Sequence, residues 1–148
     1  MPRHFHGTPR EERALSAYVK LLRASETVHA EATRSLAGEG LSSSQFAVLE
    51  ALYHVGPLCL GDLARKILKT SGNLTMVVGN LQKRGLVARQ QSSEDRRFVS
   101  VVITEKGRKL MARVFPLHLA RIVELMGRLS PAQQEELGRL CRQLGVNQ

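Results

Sequence analysis

The sequence predicts a mainly α-helical fold that carries one small antiparallel β hairpin as a wing. Three observations lead there. Apolar residues recur at helical spacing along most of the 148 residues. Start signals of the form Ser/Thr-x-x-Glu/Gln divide that pattern into separate helices. The spacing changes to a strand-like pattern only once, across residues 86–103, where two apolar runs flank a charged turn.

Each element follows from its residues. Residues 1–7 read as a loose basic tail. Thr8 caps a first helix, Pro9 suits its first turn, and Glu11 completes a capping box. Leu15, Tyr18, Val19, Leu22, Ala32 and Leu36 mark its apolar positions to about residue 37, where Gly38 and Gly40 end it. Ser42 with Gln45 starts a second helix whose apolar face is Phe46, Leu49, Leu52 and Tyr53, and Gly56-Pro57 stops it. A short helix then runs through Leu68, with Cys59 in its N-cap slot and Asp62 in the acidic position. Sulfur is a poor acceptor, so this cap is weak. Thr70-Ser71 opens the next helix. Its buried stripe is Leu74, Val77, Val78 and Leu81, and Gly85 ends it. The opposite face carries Ser71, Asn73, Thr75, Met76, Asn80 and Lys83, beside Gly72 and Gly79. Strands follow at Leu86–Gln91 and Phe98–Ile103, joined by the polar tip Ser92–Arg97. Two strands alone are barely stable in water, so the hairpin must pack on the helices before it. Thr104 caps a long helix over roughly 105–128, which Pro116 should bend. Ser130-Pro131-Ala132-Gln133 starts the last helix, with Leu137, Leu140 and Leu144 on one face.

Composition narrows the chemistry. A net charge of +9 favours a polyanionic partner, nucleic acid first and an anionic membrane surface second. Aromatics are only 4% of the chain and tryptophan is absent, so aliphatic side chains must fill the core. No apolar run reaches the length of a membrane span, and the start Met1-Pro2-Arg3-His4-Phe5-His6 lacks a secretory apolar stretch. The two cysteines, Cys59 and Cys141, form neither a disulfide framework nor a zinc pattern. A cytoplasmic protein with reduced thiols is expected. His4, His6, His29, His54 and His118 make no spaced metal set, and no phosphate loop or nucleophile elbow occurs. The expectation is therefore no enzyme, no metal and no cofactor.

Two helices joined by a short turn, the second with a polar outer face and followed by a hairpin, match a winged helix-turn-helix. In that arrangement the polar face of residues 71–83 meets base edges in the major groove. Arg96 and Arg97 at the tip reach phosphates or the minor groove. A winged helix used only for protein contact, without an operator, is the alternative. The first, fifth and last helices exceed what the small central lobe can cover. Their apolar faces predict a homodimer intertwined through both termini, which sets two recognition helices about one DNA turn apart. A monomer with its helices folded back is the competing arrangement. The resulting division is a dimerisation region at 8–38 and 104–148 and a DNA-binding lobe at 42–103, in one domain spanning 1–148.

The stretch Asp95-Arg96-Arg97-Phe98-Val99-Ser100-Val101-Val102-Ile103-Thr104-Glu105-Lys106-Gly107 resembles the wing signature of the MarR family. That pattern is an Asp, an Arg two residues on, a strand, then Leu-Thr and a Gly three residues after the Thr. Ile103 replaces the usual leucine. Leu41–Leu49, Leu63-Ala64, Gly72–Leu81 and Lys83–Val87 are also similar, so the likeness spans roughly residues 10–144. The resemblance implies a homodimer on palindromic double-stranded DNA, often a repressor released by a small ligand or by oxidation. By position, Asp95 resembles the aspartate that steadies the wing, and Arg97 the arginine that holds the tip or enters the minor groove. Because the family often binds aromatic or phenolic ligands, Tyr18, Phe46, Tyr53, His54 and Met111 become ligand candidates, each equally readable as ordinary core. The peroxide-sensing branch carries a cysteine early in the first helix, which this chain lacks. Cys59, near a helix start and followed by Arg65 and Lys66, is the alternative oxidation-sensing position.

Overall fold

The computed structural model describes residues 5–67 and 71–145. The chain divides into two compact units, with the boundary between Arg34 and Ser35. The first is essentially one helix, α1 (Pro9–Thr33), with the Thr8/Glu11 capping box formed in both directions. The Glu11 backbone N–H donates to the Thr8 hydroxyl at 3.3 Å, and the Thr8 backbone N–H donates to the Glu11 carboxylate at 2.8 Å. The helix ends at Thr33, earlier than the apolar pattern suggests. The backbone tightens there into a 3-10 helix, Arg34–Glu39, which Gly40 terminates at φ +67°.

The second unit contains α2 (Ser43–Val55), β1 (Leu58–Cys59), α3 (Leu60–Ile67), α4 (Ser71–Lys83), β2 (Val87–Gln91), β3 (Val99–Ile103), α5 (Glu105–Met126) and α6 (Pro131–Leu144). Ser42 and Ser130 cap α2 and α6 with the predicted Gln45 and Gln133 partners. Thr104 caps α5, which runs uninterrupted through Pro116 and stops at Met126 rather than 128. The expected helix positions Leu68 and Thr70 lie outside the described residues.

The sheet has one strand more than expected. Its order is β1-β3-β2, all antiparallel, with Leu58 opposite Val101 and Cys59 opposite Ser100. A two-residue strand has no periodicity, so the sequence read it as the entry to α3. Its effect is to make β3 the central strand. The long pair runs in register from Val87 opposite Ile103 to Gln91 opposite Val99.

One aliphatic core holds this unit together. Leu36, Leu49, Leu52, Leu63, Leu74, Leu81, Val101 and Met111 are all essentially inaccessible, and the ring of Phe46 is buried with them. Each such leucine contributes about 1.5–3 kcal/mol of transfer free energy. Where α4 ends, Gly85 adopts φ +73° and Leu86 N–H donates back to Leu81 at 3.0 Å. The start of α5 is locked onto this turn. The Thr104 hydroxyl donates to the Gly85 carbonyl at 2.6 Å, and the Thr104 N–H to the Leu86 carbonyl at 3.0 Å. Gly107 completes the corner. A Cβ there would collide with the Leu86 carbonyl oxygen and lie 2.7 Å from Ile103 Cγ1. Among the described residues, no helix is long and apolar enough to cross a membrane.

Candidate nucleic-acid interface

Helix α4 separates its two faces as its periodicity predicts. Leu74, Val78 and Leu81 are fully buried and Val77 nearly so. Asn73, Thr75, Met76, Asn80 and Lys83 are exposed. The side chain of Ser71 lies outside the described residues. No acidic side chain occurs on this helix. Its outer face therefore offers amide and hydroxyl groups, one thioether and one cation, a set able to meet base edges without repelling phosphate.

The wing tip is organised by its own side chains. The Ser92 hydroxyl accepts the backbone N–H groups of Glu94 at 3.2 Å and Asp95 at 3.4 Å. The Phe98 N–H donates to the Asp95 carbonyl at 3.1 Å, and the Ser92 N–H to the Phe98 carbonyl at 2.9 Å. Asp95 then folds over Arg97. Its Oδ1 accepts the Arg97 backbone N–H at 3.0 Å, and its Oδ2 accepts Arg97 Nη2 at 2.9 Å, with Nε within reach of both oxygens. These bonds from Arg97 hold the Asp95 carboxyl below the ordinary carboxylate range, and the same contact raises the guanidinium above its ordinary value. The Arg97 side chain is still 89% exposed. It is thus oriented by Asp95 on one edge while its other edge faces solvent. Arg96 anchors the turn through its carbonyl, which accepts Gln91 Nε2 at 2.8 Å. Its side chain is exposed and has no ion-pair partner among the described residues. Phe98, beside the tip, is 64% exposed. The sequence treated it as an ordinary strand residue, although an aromatic directly after two arginines was the signal available.

The ligand candidates separate. Phe46, Tyr53, His54 and Met111 lie on α2 and α5 in the second unit, whereas Tyr18 is exposed on α1 in the first. Rings from α2 and α5 meet in pairs. Phe46 lies 4.5 Å from His118, His54 lies 4.6 Å from Phe115, and Tyr53 lies 5.1 Å from His54, all centroid to centroid. Met111 is fully buried and Phe46 nearly so, Tyr53 is partly buried, and His54 is exposed. Phe115 and His118 were not singled out from the sequence. They follow Met111 by four and seven residues, which puts all three on one side of α5.

Cys59 caps α3 as expected. Its Sγ accepts the Asp62 N–H at 3.5 Å and donates to Asp62 Oδ2 at 3.2 Å. That contact, with Arg65 assisting, lowers the Asp62 carboxyl from its ordinary value. Arg65 pairs with Asp62 rather than with the sulfur. Among the described residues, no group of three or more His, Cys, Asp or Glu side chains could hold a metal.

A sequence model of the MarR family matches residues 41–99. The chain is 34% identical to an uncharacterised HTH-type transcriptional regulator, YkoM of Bacillus subtilis (strain 168), over 92% of its own length and 88% of the relative's. It is 36% identical to the HTH-type transcriptional regulator MhqR of the same organism, over 92% and 94%. Among solved structures it is similar to Bordetella bronchiseptica BpsR, described by the regulation of its DNA binding by 6-hydroxynicotinic acid. The TM-score is 0.79 and the identity 27%, over 88% of this chain and 98% of that one.

Proposed function

This chain belongs to the MarR family of DNA-binding transcriptional regulators, and from that membership we propose that it works as a homodimer on a palindromic operator, repressing until a small aromatic ligand releases it. The observation that carries the DNA reading is the outer face of α4. It is polar, free of carboxylates, backed by fully buried leucines, and followed by a hairpin whose tip presents Arg96 and Arg97. On this reading Asn73, Thr75, Met76 and Asn80, with Ser71 ahead of them, face the major groove. Lys83, Arg96 and Arg97 meet phosphate or the minor groove, and Asp95 holds the tip in shape.

The dimer rests on apolar surface left bare in one chain. Leu15, Tyr18, Leu21 and Leu22 are exposed on α1, Leu117, Leu119 and Val123 on α5, and Leu137, Leu140 and Leu144 on α6. A second copy is the economical cover for three such helices. The dimerisation region is taken as 8–38 with 104–148, and the DNA-binding lobe as 42–103. The ligand reading rests on the aromatic pairs between α2 and α5 and on the small aromatic acid that regulates BpsR. Phe46 and Met111 would back such a site, and Tyr53 and His54 would border it. Regulation then acts through DNA occupancy, with no catalysis by the chain and a cytoplasmic location.

Fluorescence anisotropy with duplexes selected from genomic DNA tests this. A palindromic duplex should bind at least a thousandfold tighter than random DNA, and both affinities should fall with salt. Weak, sequence-blind binding at every salt concentration would leave only a protein-contact module.

A further inference from the structure

At the root of the wing, on the corner where α4, β2 and α5 meet, lies a concavity of about 350 Å³. Its walls carry Arg84, Lys106, Lys109 and Arg113, with Glu39 as the one acidic companion among the described residues, and Leu86 and Leu110 supply apolar surface. We propose that this cleft is a binding site for a small multivalent anion of the phosphate-ester or polycarboxylate class.

The charges are mounted rather than free. Arg84 reaches across to the end of the 3-10 helix, where Nη1 donates to the Gly40 carbonyl at 2.7 Å and Nη2 to that of Glu39 at 3.4 Å. Lys106 Nζ donates to the Arg84 carbonyl at 2.8 Å. Lys106, Lys109 and Arg113 follow one another at helical spacing, on a helix whose start is pinned by Thr104 and Gly107 against the Gly85-Leu86 turn. Arg113 alone is neutralised, its Nη1 2.8 Å from both Glu39 oxygens. Lys109 has no ion-pair partner among the described residues. Three cations therefore stand in excess.

Their placement also works against the helix. The amino end of a helix carries a partial positive charge and favours acidic side chains. In α5 the first turn holds Lys106 and Arg108 against the single acid Glu105, and Lys109 follows directly. A bound anion relieves both the mutual repulsion and the dipole conflict. The volume fits a small molecule, at the low end for ligand pockets.

Duplex DNA is the less suitable occupant. The cleft sits where β2 begins and β3 ends, whereas Arg96 and Arg97 occupy the far end of both strands. Concave lining and a fixed cluster of charge suit a compact ligand more than a phosphate backbone.

Isothermal calorimetry on the full chain, with inorganic pyrophosphate and tricarballylate as probes at constant ionic strength, reads binding without any DNA. At least one probe should bind saturably at sub-millimolar concentration. Lys106→Ala/Lys109→Ala should weaken it by about tenfold or more. Lys20→Ala/Lys66→Ala, which removes equal charge from exposed positions elsewhere, should leave it unchanged. Glu39→Gln should tighten it by more than Glu26→Gln, which adds the same net charge at an exposed position elsewhere, because only the first removes a competing carboxylate. Equal tightening by both would be bulk attraction and would count against the cleft. The proposal fails if neither probe saturates, or if both double variants weaken binding alike. It also fails if the Lys106/Lys109 variant loses only affinity for duplex DNA with a shallower salt slope, which would make the cleft a phosphate-backbone contact.

Discussion

Asp95 and Arg97 form a small closed ring at the wing tip, and each restrains the other. Arg97→Ala removes a guanidinium that Asp95 aims, so operator affinity should fall by about tenfold with fold and dimer intact. Arg96→Ala removes a cation that no carboxylate among the described residues holds, and its main effect should be a shallower salt dependence. Asp95→Ala distinguishes structure from bulk charge. Deleting a negative charge next to DNA predicts tighter binding, whereas loss of the bonds from Arg97 predicts weaker binding, and we expect the second. Anisotropy on one duplex at two salt concentrations measures all three, and tighter binding by Asp95→Ala together with normal binding by Arg97→Ala would remove the wing from the interface. The sign for pH follows from the lowered Asp95 carboxyl. Its stabilisation of the tip is complete above the ordinary carboxylate range and is lost as pH falls through the lowered value. On α4, Gly79 carries its own message. A Cβ there would meet nothing within 4 Å, so no internal contact requires the glycine, although a mid-helix glycine costs about 1 kcal/mol relative to alanine. Gly79→Ala should stabilise the fold by thermal denaturation yet weaken DNA binding, if close approach to the groove is what the position serves. Unchanged DNA affinity would leave the glycine without a role.

At the scale of elements, local chemistry decided what the sequence could reveal. Three capping boxes were legible because donor and acceptor stand three residues apart. The polar face of α4 was legible from the spacing of Leu74, Val77, Val78 and Leu81. Strand β1 was not, because its two residues are specified by pairing with Ser100 and Val101, some forty positions away. The ring pairs of α2 with α5 and the cationic cleft stayed hidden for the same reason: each is assembled from segments far apart in the chain. Two substitutions probe the elements. Cys59→Ser replaces a weak sulfur acceptor by oxygen and should keep DNA binding while strengthening the α3 cap by up to about 1 kcal/mol. Loss of a peroxide response in that variant, where the parent shows one, would instead make Cys59 an oxidation sensor. Gly107→Ala places a methyl group against the Leu86 carbonyl and Ile103. Overpacking of this kind costs about 1–3 kcal/mol, so chemical denaturation should show a clear loss, and an unchanged midpoint would mean that the corner yields.

For the molecule as a whole, bare apolar surface on α1, α5 and α6 predicts about twice the chain mass by analytical ultracentrifugation at micromolar concentration. A clean monomer there would remove the dimer. Truncation before Ser130 deletes the exposed leucines of α6 and should weaken dimer and operator binding together. The corner built by Gly85, Thr104 and Gly107 has a mechanical consequence for such an assembly. It welds the wing to the head of α5, so hairpin and helix behave as a crank on one pivot. From that pivot the five-residue strands extend for about 16 Å. A turn of only about 10° at the pivot would then sweep Arg96 and Arg97 sideways by roughly 3 Å, more than the slack of a hydrogen bond. Distances between spin labels at Ser93 in the two protomers, with and without effector, should report that sweep. A constant distance would mean that release does not run through the crank.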